Sequence, residues 1–235
     1  DVNVAVLQLA NLEMSPRMER MLVGCLCNLS CPKNNQGRLV EEGCVRVIAR
    51  IIDALQPTPE AKPEGRALDT LRLCAKTLSN LSGCSRSRSK MTGQRVIPVL
   101  LKMAATDDED MKQECAMAIT RLAMDVSCCE KIIQQGAISA IVAMARSGFE
   151  DVATGRMCAA ALRQLCIAGQ EHELIEKTVL TDAVKALVNL ISKDAPTNQV
   201  CAQTLCTLFQ QPSAVDGMIK LGALDAVVKL AATGA

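Results

Sequence analysis

Tryptophan and tyrosine are absent, and only two of the 235 residues are phenylalanine. This excludes the aromatic platforms on which single-strand nucleic-acid binders stack bases. The one histidine, His172, excludes any mechanism that needs two histidines. The 26 lysines and arginines nearly balance the 25 aspartates and glutamates, so the overall charge favours neither nucleic acid nor a membrane surface as partner.

No apolar run reaches the ~20 residues of a transmembrane helix, so we expect no membrane insertion and a cytoplasmic location. Hydrophobic residues make up 49% and charged residues 22%, as in ordinary folded proteins. The chain opens at Asp1 without a signal peptide and stops at Ala235 just after an amphipathic run. We therefore expect a fragment of a longer protein, whose cut ends expose apolar faces and contact other chains end to end.

An internal repeat organises the sequence. Gly43, Gly93, Gly136 and Gly222 each follow a short helical pattern and precede an amphipathic one, at steps of 50, 43 and 86 residues. Because 86 is twice 43, a fifth site is implied at Val179. The glycines fit tight corners between helices, where a positive φ is often needed. A helical period of ~40–47 residues is typical of an α-solenoid.

A second column of segments supports this register. GCLCNLS, KTLSNLS, MAITRLA, ALRQLCI and QTLCTLF place Asn28, Asn80, Arg121, Gln164 and Thr207 at equivalent positions. Together the columns predict three-helix repeats of about 43 residues, one of which carries a nine-residue insertion. We expect one array over 1–235: a partial repeat at 1–43, repeats at 44–93, 94–136, 137–179 and 180–222, and a partial repeat at 223–235.

These segments resemble the armadillo-repeat family. GAISAIVAM at 136–144 and GALDAVVKL at 222–230 are similar to its second helix, and CLCNLS at 25–30 and TLSNLS at 77–82 to its third. The resemblance covers essentially the whole chain. It implies an all-α fold, a right-handed superhelix of three-helix repeats whose third helices line a concave groove. Val179 departs from the glycine pattern and Arg121, Gln164 and Thr207 from the asparagine pattern, so no subfamily is assigned.

Three positions of each third helix face the implied groove: the asparagine column and the positions four and eight residues before it. None of these fifteen positions is acidic, and several are basic. The predicted partner-binding residues are Arg20, Asn28, Arg72, Lys76, Asn80, Gln113, Met117, Arg121, Arg156 and Gln164. Such a strip predicts a protein scaffold that binds an acidic or extended segment of a partner. The amide side chains would hydrogen-bond to the backbone of that segment, and the cationic side chains would contact its acidic groups. An ordinary solvated face is the alternative interpretation.

The resemblance also separates possible functions. Nuclear-import adaptors of the family carry tryptophans four residues before the groove asparagines, where this sequence has Gly24, Lys76, Met117, Ala160 and Gln203. A receptor of that kind is therefore not expected. The basic strip is more similar to a catenin-type groove, which takes acidic ligands. One alternative function is a structural part of a cytoskeletal assembly such as the ciliary axoneme, with an axonemal location. A second is a phospho-dependent binding module.

Four of the thirteen cysteines recur at one position of the repeat. Cys74, Cys115, Cys158 and Cys201 lie 41, 43 and 43 residues apart, and alanine follows each. Stacked helices lie ~10 Å apart, too far for these thiols to share a metal or to pair easily in disulfides. We expect these cysteines to serve as small buried side chains where helices approach closely. We also expect the protein to occupy a reducing compartment.

The other cysteines give no stronger signal for a metal. Cys25, Cys27 and Cys31 supply too few ligands for a zinc site, although Cys27 and Cys31 share a helix face. Cys128 and Cys129 are adjacent in a short helix, so we expect at most one to be well buried. We therefore predict no metal site.

Catalytic signatures are absent: there is no nucleophile elbow, no metalloprotease motif, no phosphate-binding loop and no kinase motif. The carboxylates show no paired, apolar-embedded arrangement that would shift a pKa. We expect His172, between Glu171 and Glu173, to be exposed and charged. The prediction is a binding protein that is not an enzyme and uses no cofactor.

Two segments interrupt the repeat pattern. The insertion at 56–66 holds three prolines, so we expect a surface loop, with a partner-contact loop as the alternative. The stretch at 84–95 carries Arg86, Arg88, Lys90 and Arg95 and no acid. We expect a solvated first helix there, with a phosphate contact or a phosphorylation target as alternatives. The acidic run at 107–110 is expected to cap the long helix that follows it.

Overall fold

The computed structural model describes residues 2–10, 12–56, 58, 62–146, 152–171, 177–191, 194–210 and 212–232. Over these residues the chain contains helices and turns and no strand, as predicted. Its contacts divide it into two compact units, Asp1–Cys128 and Cys129–Ala235, and each is described by itself.

The first unit repeats a pattern of a short, a medium and a long helix. A partial repeat of a second and a third helix comes first, followed by two complete three-helix repeats. The helices are α1 (Val2–Leu9), α2 (Pro16–Ser30), α3 (Lys33–Glu41), α4 (Cys44–Leu55), α5 (Gly65–Ser82), α6 (Arg88–Gly93), α7 (Val96–Ala104) and α8 (Glu109–Ala123). A short 3-10 turn at Ser85–Ser87 precedes α6. The stretch at 84–95 therefore forms a short first helix, as expected.

The second unit begins with the same order of a short, a medium and a long helix. The unit boundary falls within α9 (Val126–Gln134), a short first helix. The remaining helices are α10 (Ala137–Arg146), α11 (Val152–Glu171), α12 (Lys177–Leu190), α13 (Ala195–Leu208), α14 (Pro212–Lys220) and α15 (Ala223–Ala232). His172, predicted to be exposed, lies outside the described residues, as do residues 57 and 59–61 of the insertion at 56–66.

Three of the four glycines of the repeat pattern have the positive φ expected at helix corners. Gly43, Gly136 and Gly222 have φ values of 94°, 86° and 76°, each at the start of a second helix. The expectation was wrong at Gly93, which ends α6, because the left-handed residue of that corner is Arg95, with φ 64°. It was also wrong at Val179, which lies inside α12, where a β-branched residue keeps ordinary helical geometry.

Stacked third helices form the core of the first unit. α5 packs against α2 on one side and α8 on the other. Its Leu71, Leu78 and Leu81 are completely buried. In the second unit α11 packs against α13 in the same way, and Leu162 and Leu205 are buried there. Each buried leucine contributes ~1.5–3 kcal/mol relative to an exposed one, so this stacking adds several kcal/mol to the stability of each unit.

The recurring cysteines are buried, as predicted. Cys74, Cys115, Cys158 and Cys201 are all completely inaccessible to solvent. Burial raises the pKa of Cys201 to about 12, and it also raises the pKa values of Cys74 and Cys115. The thiols of Cys74, Cys115 and Cys201 therefore stay protonated and unreactive at neutral pH.

Both cysteines of the adjacent pair in α9 are buried, which corrects the expectation for them. Cys128 and Cys129 are each 1% exposed. Ile132 and Ile133, one turn later, are buried as well. A stripe at positions i, i+1, i+4 and i+5 is wide enough to bury two neighbouring side chains.

Within the described ranges, no three His, Cys, Asp or Glu side chains come together as a group that could hold a metal ion. Among the helices described above, none is long and apolar enough to cross a membrane.

Several large apolar side chains are exposed in helices near the two ends. They include Met18 and Met21 of α2, and Leu224 and Val228 of α15. Association through these ends stays a prediction.

The corner glycines generate a stability prediction. We expect Gly136→Ala to destabilise the chain by ~1–2 kcal/mol, since an L side chain strains a left-handed backbone. An added Cβ at Gly136 would meet nothing within 4 Å, so the cost comes from the backbone alone. Gly93→Ala is the matched control, since Gly93 is helical and equally open. Urea denaturation of both variants tests this; equal stabilities would contradict it.

Cysteine burial predicts a labelling pattern. In the native protein a thiol reagent should modify Cys25, Cys31 and Cys206, which are exposed, and Cys84 more slowly. The nine buried thiols should react only after denaturation. Peptide mass spectrometry after a short labelling pulse gives the pattern. Fast labelling of Cys74 or Cys115 in the native protein would show that the third helices do not stack as described.

Candidate functional site

A groove of about 500 Å³ opens across the third helices α2, α5 and α8 of the first unit. It is lined by Arg20, Asp69, Arg72, Leu73, Lys76, Asp110, Gln113 and Glu114, and we call it the paired groove. Four of these residues belong to the predicted binding set: Arg20, Arg72, Lys76 and Gln113. The stacking of the helices therefore brings together predicted residues from three successive third helices.

The paired groove is not the acid-free surface that the sequence led us to expect. Three carboxylates, those of Asp69, Asp110 and Glu114, accompany its three cationic side chains. The fifteen predicted positions do contain no acid, but they follow a spacing of four residues along each helix. Acidic residues at the intervening positions share the surface, because a helix face is wider than one row of side chains.

Arg72 is held by an aspartate of the next third helix. Its Nε and Nη2 donate to Asp108 Oδ2, at 3.0 and 2.6 Å. Asp110 and Asp69 lie farther off, each 3.8 Å from a nitrogen of the guanidinium. The hydrogen bond to Asp108 and its charge raise the pKa of Arg72. This cation is therefore largely neutralised within the protein.

Asp108 also caps the helix that it precedes. Its Oδ1 accepts a hydrogen bond from the backbone N–H of Met111, at 2.9 Å, at the start of α8. The expectation that the acidic run at 107–110 caps the long helix is thus confirmed at Asp108. One carboxylate performs both tasks, since each oxygen takes a different donor. We call this arrangement of arginine, capping aspartate and helix N-terminus a clasp.

The second unit contains an equivalent clasp. Arg156 of α11 donates from Nη2 to Asp194 Oδ1 at 2.8 Å, and Nε lies 3.3 Å from Oδ2. Asp194 accepts the backbone N–H of Thr197 at 3.0 Å and also the Thr197 hydroxyl. Arg156, followed by Thr197, lowers the pKa of Asp194 from 3.8 to about 2. The same chemistry therefore recurs at the same place in the repeat.

The other residues of the paired groove are held less firmly. Arg20 lies 3.6 Å from Asp69, and about half of each side chain is exposed. Such a pair contributes ~0–1 kcal/mol. Lys76 is exposed and forms no ion pair with any residue that the structure describes. Of the groove cations, Lys76 is the one most available to a ligand.

Asn80 and Arg121 lie at a second pocket of about 400 Å³, at the carboxyl ends of α2, α5 and α8. It is lined by Cys31, Lys33, Gln36, Asn80, Gly83, Arg88, Arg121 and Met124, and we call it the cationic pocket. Asn80 Nδ2 donates to Ser30 Oγ at 3.0 Å. Arg121 Nη1 donates to the Ser79 carbonyl at 2.7 Å. These two side chains therefore also tie neighbouring helices together.

The remaining predicted residues are dispersed. Asn28 is exposed on α2, and Met117 is half-buried on α8. Arg156 and Gln164 lie on α11, in the second unit. Within the first unit, the structure thus divides the predicted set between the paired groove, the cationic pocket and isolated positions.

Sequence reasoning missed the part that the capping aspartates play at these sites. Asp108 was expected to cap a helix but not to neutralise Arg72, and Asp194 was not singled out. A signal for both exists: Asp108 lies 36 residues after Arg72, and Asp194 lies 38 residues after Arg156. Following each arginine forward by slightly less than one repeat would have identified its partner.

The clasp in the second unit predicts acid sensitivity. Because folding lowers the pKa of Asp194 to about 2, its carboxylate stabilises the native state above pH 3.8, and this contribution is lost as pH falls through about 2. We expect Asp194→Asn to remove that part of the pH dependence. Urea midpoints measured from neutral pH down to about pH 2 test this. Asp216→Asn, at an exposed aspartate of the same unit, is the control. Parallel curves for the wild type and Asp194→Asn would contradict the expectation.

Comparison with known proteins gives structural matches alone. No protein-family model matches the chain, and no curated protein matches it. An engineered protein from the Northeast Structural Genomics Consortium superposes with a TM-score of 0.77 at 17% identity, over 98% of this chain and 90% of its own.

Designed armadillo repeat proteins are similar as well. One, in complex with the peptide (KR)4, has a TM-score of 0.58 at 16% identity, over 95% of this chain and 98% of its own. The same values hold for a structure of computationally designed armadillo repeat proteins for modular peptide recognition. At these identities the likeness shows the fold alone, and that fold is the armadillo-repeat solenoid predicted from the sequence.

Proposed function

We propose that the first unit binds an extended peptide segment of a protein partner in the paired groove. The observation that carries this proposal is the groove itself, which crosses three stacked third helices and presents polar side chains from each. An extended chain can contact successive helices of such a stack, because the contacts recur with the repeat. The similarity to designed armadillo repeat proteins, two of them described by a peptide, supports the proposal.

The charges of the paired groove restrict which peptide segments can bind there. Arg72 already serves Asp108, so an acidic ligand would have to compete for it. Asp69, Asp110 and Glu114 would repel a run of acidic side chains. We therefore propose a segment with isolated acidic groups, of which one meets Lys76, while the side-chain amide of Gln113 bonds to the peptide backbone.

This function needs no catalytic group and no cofactor, and we propose a binding protein that is not an enzyme. The cytoskeletal or axonemal alternative is carried by the family resemblance alone, and no contact among the described residues favours it. The phospho-dependent alternative was assigned to the groove arginines. The clasps at Arg72 and Arg156 argue against those two positions as phosphate readers, since carboxylates already occupy both guanidinium groups.

Selection of short random peptides against the chain tests the proposal. We expect Lys76→Glu combined with Gln113→Ala to weaken the selected peptides by roughly tenfold or more, since a charge-assisted and a neutral hydrogen bond are lost. Lys76 is exposed and Gln113 half-exposed, so folding should be unaffected. Lys62→Glu, at an exposed lysine outside the groove, is the matched control for charge reversal. If the groove and control variants bind equally well, the paired groove is not the binding site.

A further inference from the structure

The cationic pocket contains charge that the protein does not neutralise. Three of its lining side chains are cationic, those of Lys33, Arg88 and Arg121, and none of its lining residues is acidic. In the described part of the chain, no carboxylate forms an ion pair with any of the three. Arg20 and Arg72 of the paired groove, in contrast, both face aspartates. The cationic pocket therefore has an excess of positive charge, whereas the charges of the paired groove are largely balanced.

Backbone carbonyls hold both arginines of the cationic pocket in place. Arg121 Nη1 donates to Ser79 O at 2.7 Å, and Arg88 Nε donates to Ser82 O at 3.1 Å. The two acceptors lie three residues apart in the last turn of α5, so both guanidinium groups are anchored at one helix end. Arg121 Nη1 also lies 3.4 Å from Ser79 Oγ. A guanidinium carries five N–H donors, so each arginine keeps donors that these bonds do not use. The remaining donors are oriented without further loss of side-chain entropy.

The charge balance of the pocket identifies the kind of ligand. The carboxyl ends of α2, α5 and α8 each contribute about half a negative charge, and the amino end of α3, which begins at Lys33, contributes about half a positive charge. Together with the three full positive charges of the side chains, this leaves a net charge of roughly +2. The other polar walls are neutral amides: Gln36, which is buried and donates to Ser30 O at 3.1 Å, and Asn80. A ligand with two negative charges matches this balance better than a single carboxylate.

We propose that the cationic pocket binds a phosphate monoester dianion, carried by a phosphorylated side chain of a partner peptide. The planar donors of Arg88 and Arg121 fit phosphate oxygens, and Lys33 supplies a mobile third charge at the exposed rim. The part of this proposal that makes a peptide the source of the phosphate rests on the proposed peptide-binding function. The affinity of the pocket for phosphate is independent of that function, so either part can fail without the other.

Titration with inorganic phosphate tests the pocket directly. Calorimetry at constant ionic strength should show phosphate binding more tightly than acetate or chloride. Lys33→Ala removes an exposed lysine that lines the pocket and should weaken phosphate binding roughly tenfold. Lys62→Ala is the matched control, since it removes an exposed lysine elsewhere in the same unit. Equal binding by the two variants, or no preference for phosphate over acetate, would overturn the assignment of the pocket.

Peptides distinguish the source of the phosphate. A random library with a fixed phosphoserine, compared with the same library carrying serine, should be enriched on the wild type and on Lys62→Ala but not on Lys33→Ala. If inorganic phosphate binds and phosphopeptides gain nothing, the pocket is a site for free phosphate and the peptide source is overturned. If unphosphorylated peptides bind the paired groove and phosphate adds nothing in either assay, the phosphate inference fails while the proposed function stands.

Discussion

The close stacking of third helices is the constraint on which each unit depends. Helices can approach only as far as the side chains between them allow, and the sequence places small residues there. Cys74 and Ala75 in α5, and Cys115 and Ala116 in α8, are completely buried. Larger residues at these positions would push the helices apart and open cavities around the leucines beside them. Cysteine serves here as a small apolar side chain whose chemistry is suppressed by burial.

The same stacking sets where charges can meet. Because α5 lies directly against α8, the side chain of Arg72 reaches the residue that caps the neighbouring helix. Arg156 reaches Asp194 in the same way in the second unit. Each clasp can form only when the two adjacent helices lie at this spacing. It therefore adds a directional contact to apolar packing, which is otherwise non-directional. A long flexible lysine at these positions would supply the charge but not the two-donor geometry.

Sequence reasoning recovered the fold because the repeat signal is redundant. The spacing of apolar residues, the corner glycines and the recurring cysteines all indicate the same repeat length of about 43 residues. The wrong expectation of a helix corner at Gly93 or Val179 therefore did not change the predicted architecture. The candidate site has no such redundancy. Counting back from Asn80 identifies which residues of a helix face outward, but not which side chains of the next helix reach them. Asp108 precedes its helix, outside the fifteen counted positions, and its pairing with Arg72 exists only once the helices are stacked.

The surface charge of the first unit differs between the two ends of its third helices. Near the amino ends of its third helices, Arg72 meets the capping Asp108 and Arg20 lies near Asp69, so that end of the surface is close to neutral. Near the carboxyl ends, Arg88 and Arg121 bind carbonyls, which carry only partial charge, and Lys33 binds no carboxylate among the described residues. An extended peptide with a phosphate could then meet the unit in only one orientation across its helices. Such polarity would follow from helix geometry alone, because aspartates favour helix amino ends and cations favour carboxyl ends.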